Sequence, residues 1–361
     1  MRAPALSACL IVRNESLVLE RCLGSLSGVV DEIVIVDTGS TDATPEIAAG
    51  FGARICRHTW RGDFSAARNV GLDAASSDWI LTIDADEYLE VGTRRQIRAV
   101  VEHAEADGIL VTVRNLLAPD DLIQSAESRI VRLFRRRDDV RFAGIIHEEV
   151  TAGIARRGGR IVGSPLVIVH DGYASETTQG AGSRAERNLP LLLRAAADTP
   201  RDPYLQFHLG ATYQHLGWHA DARRHLQQVW QLPHEGLNAE ILAGAAVRLA
   251  QLALADDRNE SVVRYAGRAL AVEPDHVLAH YLSGLALMRL GRPGDARAHL
   301  ATVKSSGQAG LSTAAELDAL IAYCASERDE DGLRRRHENK TAFDKPSCRA
   351  EAVALRENTT R

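Results

Sequence analysis

The apolar residues of this chain fall into two regimes, and the first is an alternation of short apolar runs with helically spaced segments. Leu6 to Val12 is one such run, and Glu32 to Val36 is another that ends directly in Asp37. Both read as buried strands. Between them, Ser16 to Leu26 sets Leu17, Leu19, Leu23 and Leu26 at helical spacing behind the polar pair Asn14 and Glu15. Strand, helix and strand make a βαβ unit. Thr44-Pro45 then predicts a helix start, because threonine can cap free amides and proline suits a first turn. A short strand near Arg54 to Cys56, a helix over Ser65 to Ala75 and a strand from Trp79 to Ile83 follow, the last stopping at Asp84-Ala85-Asp86. Such alternation predicts an α/β fold whose mostly parallel sheet is covered by helices. Beyond about residue 108 strands predominate (Ile109 to Val113, Arg129 to Phe134, Leu166 to Val169) with no clear alternating helix, so the sheet is expected to be mixed there.

The second regime begins past Asp171, where a Gly/Ser/Thr-rich stretch from Gly172 to Ser183 leads into segments of helical period. After Leu209-Gly210 and Tyr213, Ala222 and Leu226 stand twelve and sixteen residues beyond Gly210; Gly284, Leu287, Ala296 and Leu300 repeat these offsets. Ala250 lies 34 residues before Gly284, and Pro274 occupies the place of a repeat's terminal proline. This is tetratricopeptide spacing, with small residues where paired helices touch. It predicts at least three helix pairs from Pro203 to about Gly310, with a spacer after the first; a non-repetitive bundle is the alternative. The expected organisation is an α/β domain over 1–178, an all-α TPR-like domain over 179–340 and a flexible tail over 341–361.

Composition narrows the class. The 361 residues are 45% hydrophobic and 25% charged, as in soluble globular proteins of two domains. The absence of a long apolar run or a leader-like N-terminus leads us to expect neither a membrane span nor export. A net charge of −5 gives no general attraction to nucleic acid. The cysteines Cys9, Cys22, Cys56, Cys324 and Cys348 form no CxxC pair, and three of them stand among packing positions, which fits a reduced cytoplasm. Arg132 with Arg135 to Arg137, and Arg156 with Arg157, are expected to be solvated surface rather than guides for an anionic ligand.

Chemistry concentrates where strands end. Ligands of parallel sheets bind at the C-terminal edge, and Asp37 and Asp84-Ala85-Asp86 fall there. Two carboxylates one residue apart can serve a hard divalent cation that shares its other positions with water and phosphates. Arg13-Asn14-Glu15 after the first strand, Asp37-Thr38-Gly39-Ser40-Thr41-Asp42 after the second, and Arg68-Asn69 precede this motif in order. With that ordered set, the first 170 or so residues resemble the family 2 glycosyltransferases of GT-A fold, which transfer sugar from a nucleotide diphosphate donor with inversion.

The resemblance implies that Val12, Arg13 and Glu15 line the base and ribose pocket and that Asp37 recognises base or ribose. It also implies that Asp84 faces ribose and metal, with Ala85 between, and that Asp86 ligates Mn²⁺ or Mg²⁺ directly. Arg68 would contact the nucleotide or its phosphates. Asp37 and Asp42 could equally be turn and capping residues, and Asp42 is read as the cap. In Gly144-Ile145-Ile146-His147-Glu148-Glu149, Glu148 is the candidate base, with His147 as the alternative; the family more often carries an acidic pair with Asp here. Val169-His170-Asp171-Gly172-Tyr173 resembles a segment that closes over the donor, which would make His170 a second metal ligand, or else a structural histidine.

Neither a Gln-x-x-Arg-Trp motif nor membrane helices are present, so a single transfer is implied, of a hexosyl or N-acetylhexosaminyl group from a UDP-sugar. Domains of this arrangement resemble bacterial transferases acting on peptides or proteins, at Cys or Ser, and others acting on cell-surface carbohydrate. The repeats are expected to hold a peptide or protein acceptor or to pair two subunits. The rival readings are a nucleotidyltransferase, which would need a glycine-rich loop that Leu10 to Ser16 lacks, and a non-catalytic TPR scaffold, which the retained carboxylates oppose.

Overall fold

The computed structural model describes residues 3–116, 127–170, 180–233, 237–307 and 314–326. The expected boundary at residue 178, the segment Asp171 to Tyr173 and the tail at 341–361 lie outside these. Two compact units divide the chain, one holding the described residues up to His170 and the other the helices that follow.

The first unit runs in chain order through β1 (Leu6–Val12), α1 (Leu19–Leu26), β2 (Glu32–Asp37), α2 (Thr44–Gly50), β3 (Arg54–Arg57), α3 (Phe64–Ala74) and β4 (Trp79–Thr82). It continues with β5 (Glu87–Leu89), α4 (Val91–His103), β6 (Gly108–Asn115), β7 (Glu127–Arg135), α5 (Thr151–Arg156) and β8 (Ile161–His170). The strands form one sheet in the order β3-β2-β1-β4-β7-β6-β8-β5. β3, β2, β1 and β4 are parallel neighbours. β7 runs antiparallel to both β4 and β6, and β8 lies parallel to β6 and antiparallel to β5. Two reversals restore the original direction, so β6 and β8 run the same way as β1, β2 and β4. The C-terminal ends of all five therefore share one edge of a mixed sheet.

The local sequence explains the helices. Leu19, Cys22, Leu23 and Leu26 of α1 are buried, at about 1.5–3 kcal/mol for each fully buried leucine. Leu17 is not part of that stripe: it is 97% exposed and precedes the helix. The reason is that the chain before α1 is tied elsewhere, with the amides of Glu15 and Ser16 donating to Thr44 Oγ1 and Asp42 Oδ2. The same bonds correct the expected cap of α2. Thr44 is inside that helix and serves the Glu15 amide, while Asp42 Oδ1 accepts the Thr44 N–H at 3.0 Å. α3 is capped by Asp63, whose carboxylate accepts from Ala66 N. Its Gly71 lets it lie close on the sheet: a Cβ there would stand 3.3 Å from Val36 Cγ2.

Three elements escape the apolar pattern. β5, three residues long, and α5, six residues long between β7 and β8 where no clear helix was expected, are too short for a period to show. α4 buries only Thr93, Ile97 and Val101, one narrow stripe on a helix otherwise rich in arginine.

The second unit comprises α6 (Gly180–Asp198), α7 (Pro203–His215), α8 (His219–Gln231), α9 (Ala239–Ala255), α10 (Asn259–Val272), α11 (Val277–Arg289), α12 (Pro293–Ser306) and α13 (Ala314–Ser326). α7/α8, α9/α10 and α11/α12 are the three expected TPR-like pairs, and the spacer falls between α8 and α9. The small residues sit where the helices meet. A Cβ on Gly210 would lie 2.6 Å from Leu226 Cγ, and one on Gly284 would lie 2.7 Å from Leu300 Cδ2. In the middle pair Ala250 and Ala266 occupy the equivalent positions, both fully buried.

Candidate active site

The shared strand edge carries two linked loops at its β1–β2 end. Val12 and Asp37 are register partners, and Val12 O accepts from both the amide and the hydroxyl of Thr38. Asp37 is buried, and its Oδ1 accepts from Gly39 N at 3.1 Å and Ser40 N at 2.8 Å, which makes it the residue that shapes the turn. Asn14, in the left-handed region at φ 58°, accepts from Thr41 N through Oδ1 and donates its own amide to Ser40 Oγ. Hydrogen bonds from Ser16 and Thr44 hold the Asp42 carboxyl well below the usual carboxylate range. The outcome is a rigid double loop in which Glu15 is half-buried and Arg13 is exposed.

A chain of ion pairs occupies the middle of the edge. Arg68 on α3 donates through Nε to Glu148 Oε1 at 2.5 Å and through Nη2 to Asp84 Oδ1 at 2.8 Å. Arg132 on β7 donates through Nη2 to Asp84 Oδ2 at 3.0 Å and to Glu87 Oε1 at 2.7 Å. Burial works against each of these charges. The carboxylates Asp84 and Glu148 more than restore that of Arg68, while Arg132 and Arg68 hold Asp84 well below the usual carboxylate range. Burial pushes the Glu87 carboxyl up to about 7 even with Arg132 beside it. Arg68, read from sequence as a contact to the nucleotide or its phosphates, has Nε and Nη2 committed to acids, and only Nη1 finds no acceptor among the described residues. Ala85, beneath the turn, is buried in the core.

At the far end, Asp86 Oδ2 lies 3.1 Å from His170 Nε2, and His170 Nδ1 lies 2.8 Å from Asn115 Oδ1. The sheet brings them together: His170 and Asn115 close β8 and β6 as register partners, and Glu87, next to Asp86, pairs with His170 across β5 and β8. No group of three or more His, Cys, Asp or Glu among the described residues could hold a metal ion. The pair Asp86 and His170 nevertheless fits a divalent cation that draws its remaining ligands from water and a substrate diphosphate. An Nδ1–H donated to Asn115 would leave the Nε2 lone pair for that cation.

Glu148 belongs to the loop between β7 and α5. Its loop is anchored to α3 twice, by Phe64 N donating to Ile145 O and by the Arg68 ion pair. His147 beside it has φ 54°, and burial lowers its imidazole to about 4, so it is neutral at neutral pH.

Sequence reasoning missed three residues of this edge. Arg132 was grouped with solvated arginines, but its side chain is only 13% exposed and engages Asp84 and Glu87. Arg135 is likewise drawn in, donating to the carbonyls of Ala104 and Ala106, whereas Arg136, Arg137, Arg156 and Arg157 are exposed as expected. The available signal was Arg132's place between Val131 and Leu133 within an apolar strand. Glu87 and Asn115 gave no comparable signal.

Residues 7–158 match the family model described as Glycosyl transferase family 2. A TPR repeat-containing protein of Synechococcus elongatus is 40% identical over 228 residues, covering 62% of this chain and 55% of that protein. The SPbeta prophage-derived glycosyltransferase SunS of Bacillus subtilis is 30% identical over 210 residues, covering 57% and 49% respectively. The chain thus spans about half the length of these curated relatives. Among solved structures, the mannosyltransferase PcManGT from Pyrobaculum calidifontis, in complex with GDP-Man and Mn²⁺, superposes with a TM-score of 0.41 at 19% identity, over 76% of this chain and 87% of that one.

Proposed function

We propose, from the premise that residues 7–158 are a family 2 glycosyltransferase domain, that the chain is an inverting, metal-dependent glycosyltransferase using a nucleotide-diphosphate sugar, UDP-linked in the first instance. The observation that carries this reading is the 3.1 Å approach of Asp86 and His170 at the edge that also bears Asp37 and Asp84. The double loop of Val12, Arg13, Glu15 and Asp37 would take the base and ribose, with Asp84 and Ala85 beside them. Asp86 and His170 would hold Mn²⁺ or Mg²⁺, which when bound supplies positive charge against the departing diphosphate.

In the transfer, an acceptor O–H or S–H attacks the anomeric carbon of a hexosyl or N-acetylhexosaminyl group from the face opposite the diphosphate. The new bond forms as the bond from that carbon to the phosphate oxygen breaks, and the electron pair leaves with the nucleoside diphosphate. Glu148 takes the acceptor proton, its carboxylate oriented by Arg68. His147 is the second candidate, because burial keeps it neutral and able to accept a proton. The TPR-like helix pairs would select a peptide or protein acceptor, a role that stacked helical repeats commonly fill. The four described cysteines are all unpaired, which supports a reducing, cytoplasmic setting.

The test is incubation of the full chain with Mn²⁺ and a panel of nucleotide sugars, reading nucleotide release with and without EDTA. The proposal expects release from at least one donor that EDTA abolishes. Release undiminished by EDTA would overturn the metal role, and no release or binding across the panel would overturn the transferase reading.

A further inference from the structure

We infer that Arg132 and Glu87 are positioning residues for the Asp84-Ala85-Asp86 turn, holding Asp86 against His170 in readiness for a divalent cation. The turn is closed on itself by Glu87. Its N–H donates to Asp84 O at 3.0 Å, and its Oε2 accepts the Asp84 N–H at 2.8 Å. Its other oxygen, Oε1, is held by Arg132 Nη2, and that same nitrogen grips Asp84 Oδ2. Arg68 takes Asp84 Oδ1. Backbone and side chain at the start of the turn are thus both fixed, one by a glutamate and the other by two arginines.

The far end is fixed through the sheet. Glu87 is the first residue of β5 and the register partner of His170, so its placement sets how the residue before it, Asp86, meets the histidine. Stability alone explains this cluster poorly. Withdrawing Arg132 and Glu87 from water is costly, and apolar residues of similar size would often stabilise as well. What the ions supply, and apolar packing would not, is a single orientation for the Asp84 carboxylate and the backbone behind it.

This inference rests on the metal-dependent reading above, and its test separates the two. The full chain is compared with the double variant R132M/E87Q, which removes one charge of each sign and leaves Asp84 to Arg68, and with R132K. Two quantities are read: amide hydrogen exchange of the segment 83–90 without metal, and Mn²⁺ affinity by spin-resonance titration in the presence of UDP. The double variant is expected to exchange faster in 83–90 while β1 and β2 keep their protection, and to bind Mn²⁺ about 10- to 100-fold more weakly. R132K should recover part of both, because a single nitrogen of Arg132 makes both bonds. Wild-type exchange together with wild-type Mn²⁺ affinity in the double variant would overturn the inference. A wild-type chain that binds no Mn²⁺ would sink the metal reading, and exchange would still decide whether the pair orders the turn. Should the double variant not fold, E87Q and R132K carry the same readouts.

Discussion

Arg68 ties the loop that carries Glu148 to the turn that carries Asp84 and Asp86, so the proposed base and the turn of the proposed metal ligand are linked by one cation. Glu148→Gln keeps an oxygen for Arg68 and removes the ability to accept a proton. We predict a fall in kcat of about 10²- to 10⁴-fold with donor affinity little changed, measured by steady-state kinetics beside donor-binding calorimetry. A variant that turns over at the wild-type rate would move the base to His147. The placement of Asp37, Asp84, Asp86 and His170 at or just beyond strand ends was legible in sequence, because an apolar run stops at each place. Arg132 was not legible, because a basic run looks solvated until the sheet shows that one member turns toward two carboxylates.

The helix pairs depend on contacts between small residues. At Gly210 and Gly284 a larger side chain would collide with Leu226 and Leu300 of the partner helix, whereas a Cβ on Gly267 meets nothing within 4 Å. Gly210→Val and Gly284→Val should each cost about 1–3 kcal/mol or more through overpacking. Gly267→Ala, in the interior of α10, should stabilise by up to about 1 kcal/mol through helix propensity. Thermal unfolding of the three variants checks this, and equal melting of Gly210→Val and Gly267→Ala would refute the packing argument. At this scale the longer elements declared themselves by period. β5 did not, since its three residues are defined by pairing with β8 rather than by any pattern of their own. The start of α1 was misplaced at Ser16 because the amides of Glu15 and Ser16, free in a sequence reading, are taken by α2 and the residue pair ahead of it.

Across the whole molecule, pH enters through groups that join separate stretches of chain. Glu32 accepts from the Ser7 hydroxyl and from the amide and hydroxyl of Ser76. Burial opposes its charge, but these bonds and Arg54 lower its carboxyl from the ordinary glutamate value. A lowered folded value means stability that is present above the unfolded value of about 4.3 and lost as pH falls through the folded one. Glu32→Gln should therefore flatten the acid limb of the stability curve in denaturant titrations at stepped pH, and an unchanged limb would assign acid sensitivity elsewhere. The overall α/β-then-helical plan was readable because the two halves have different apolar periods. The approach of His170 to Asp86 was not, since 84 residues separate them and only the return of β8 beside β6 brings the histidine to the same edge. The central claim is that this edge holds a metal for glycosyl transfer. It is tested most directly by Asp86→Ala, assayed for Mn²⁺-dependent nucleotide release with the donor that the wild-type chain accepts. A folded variant without turnover is the predicted result, and turnover at the wild-type rate would contradict it.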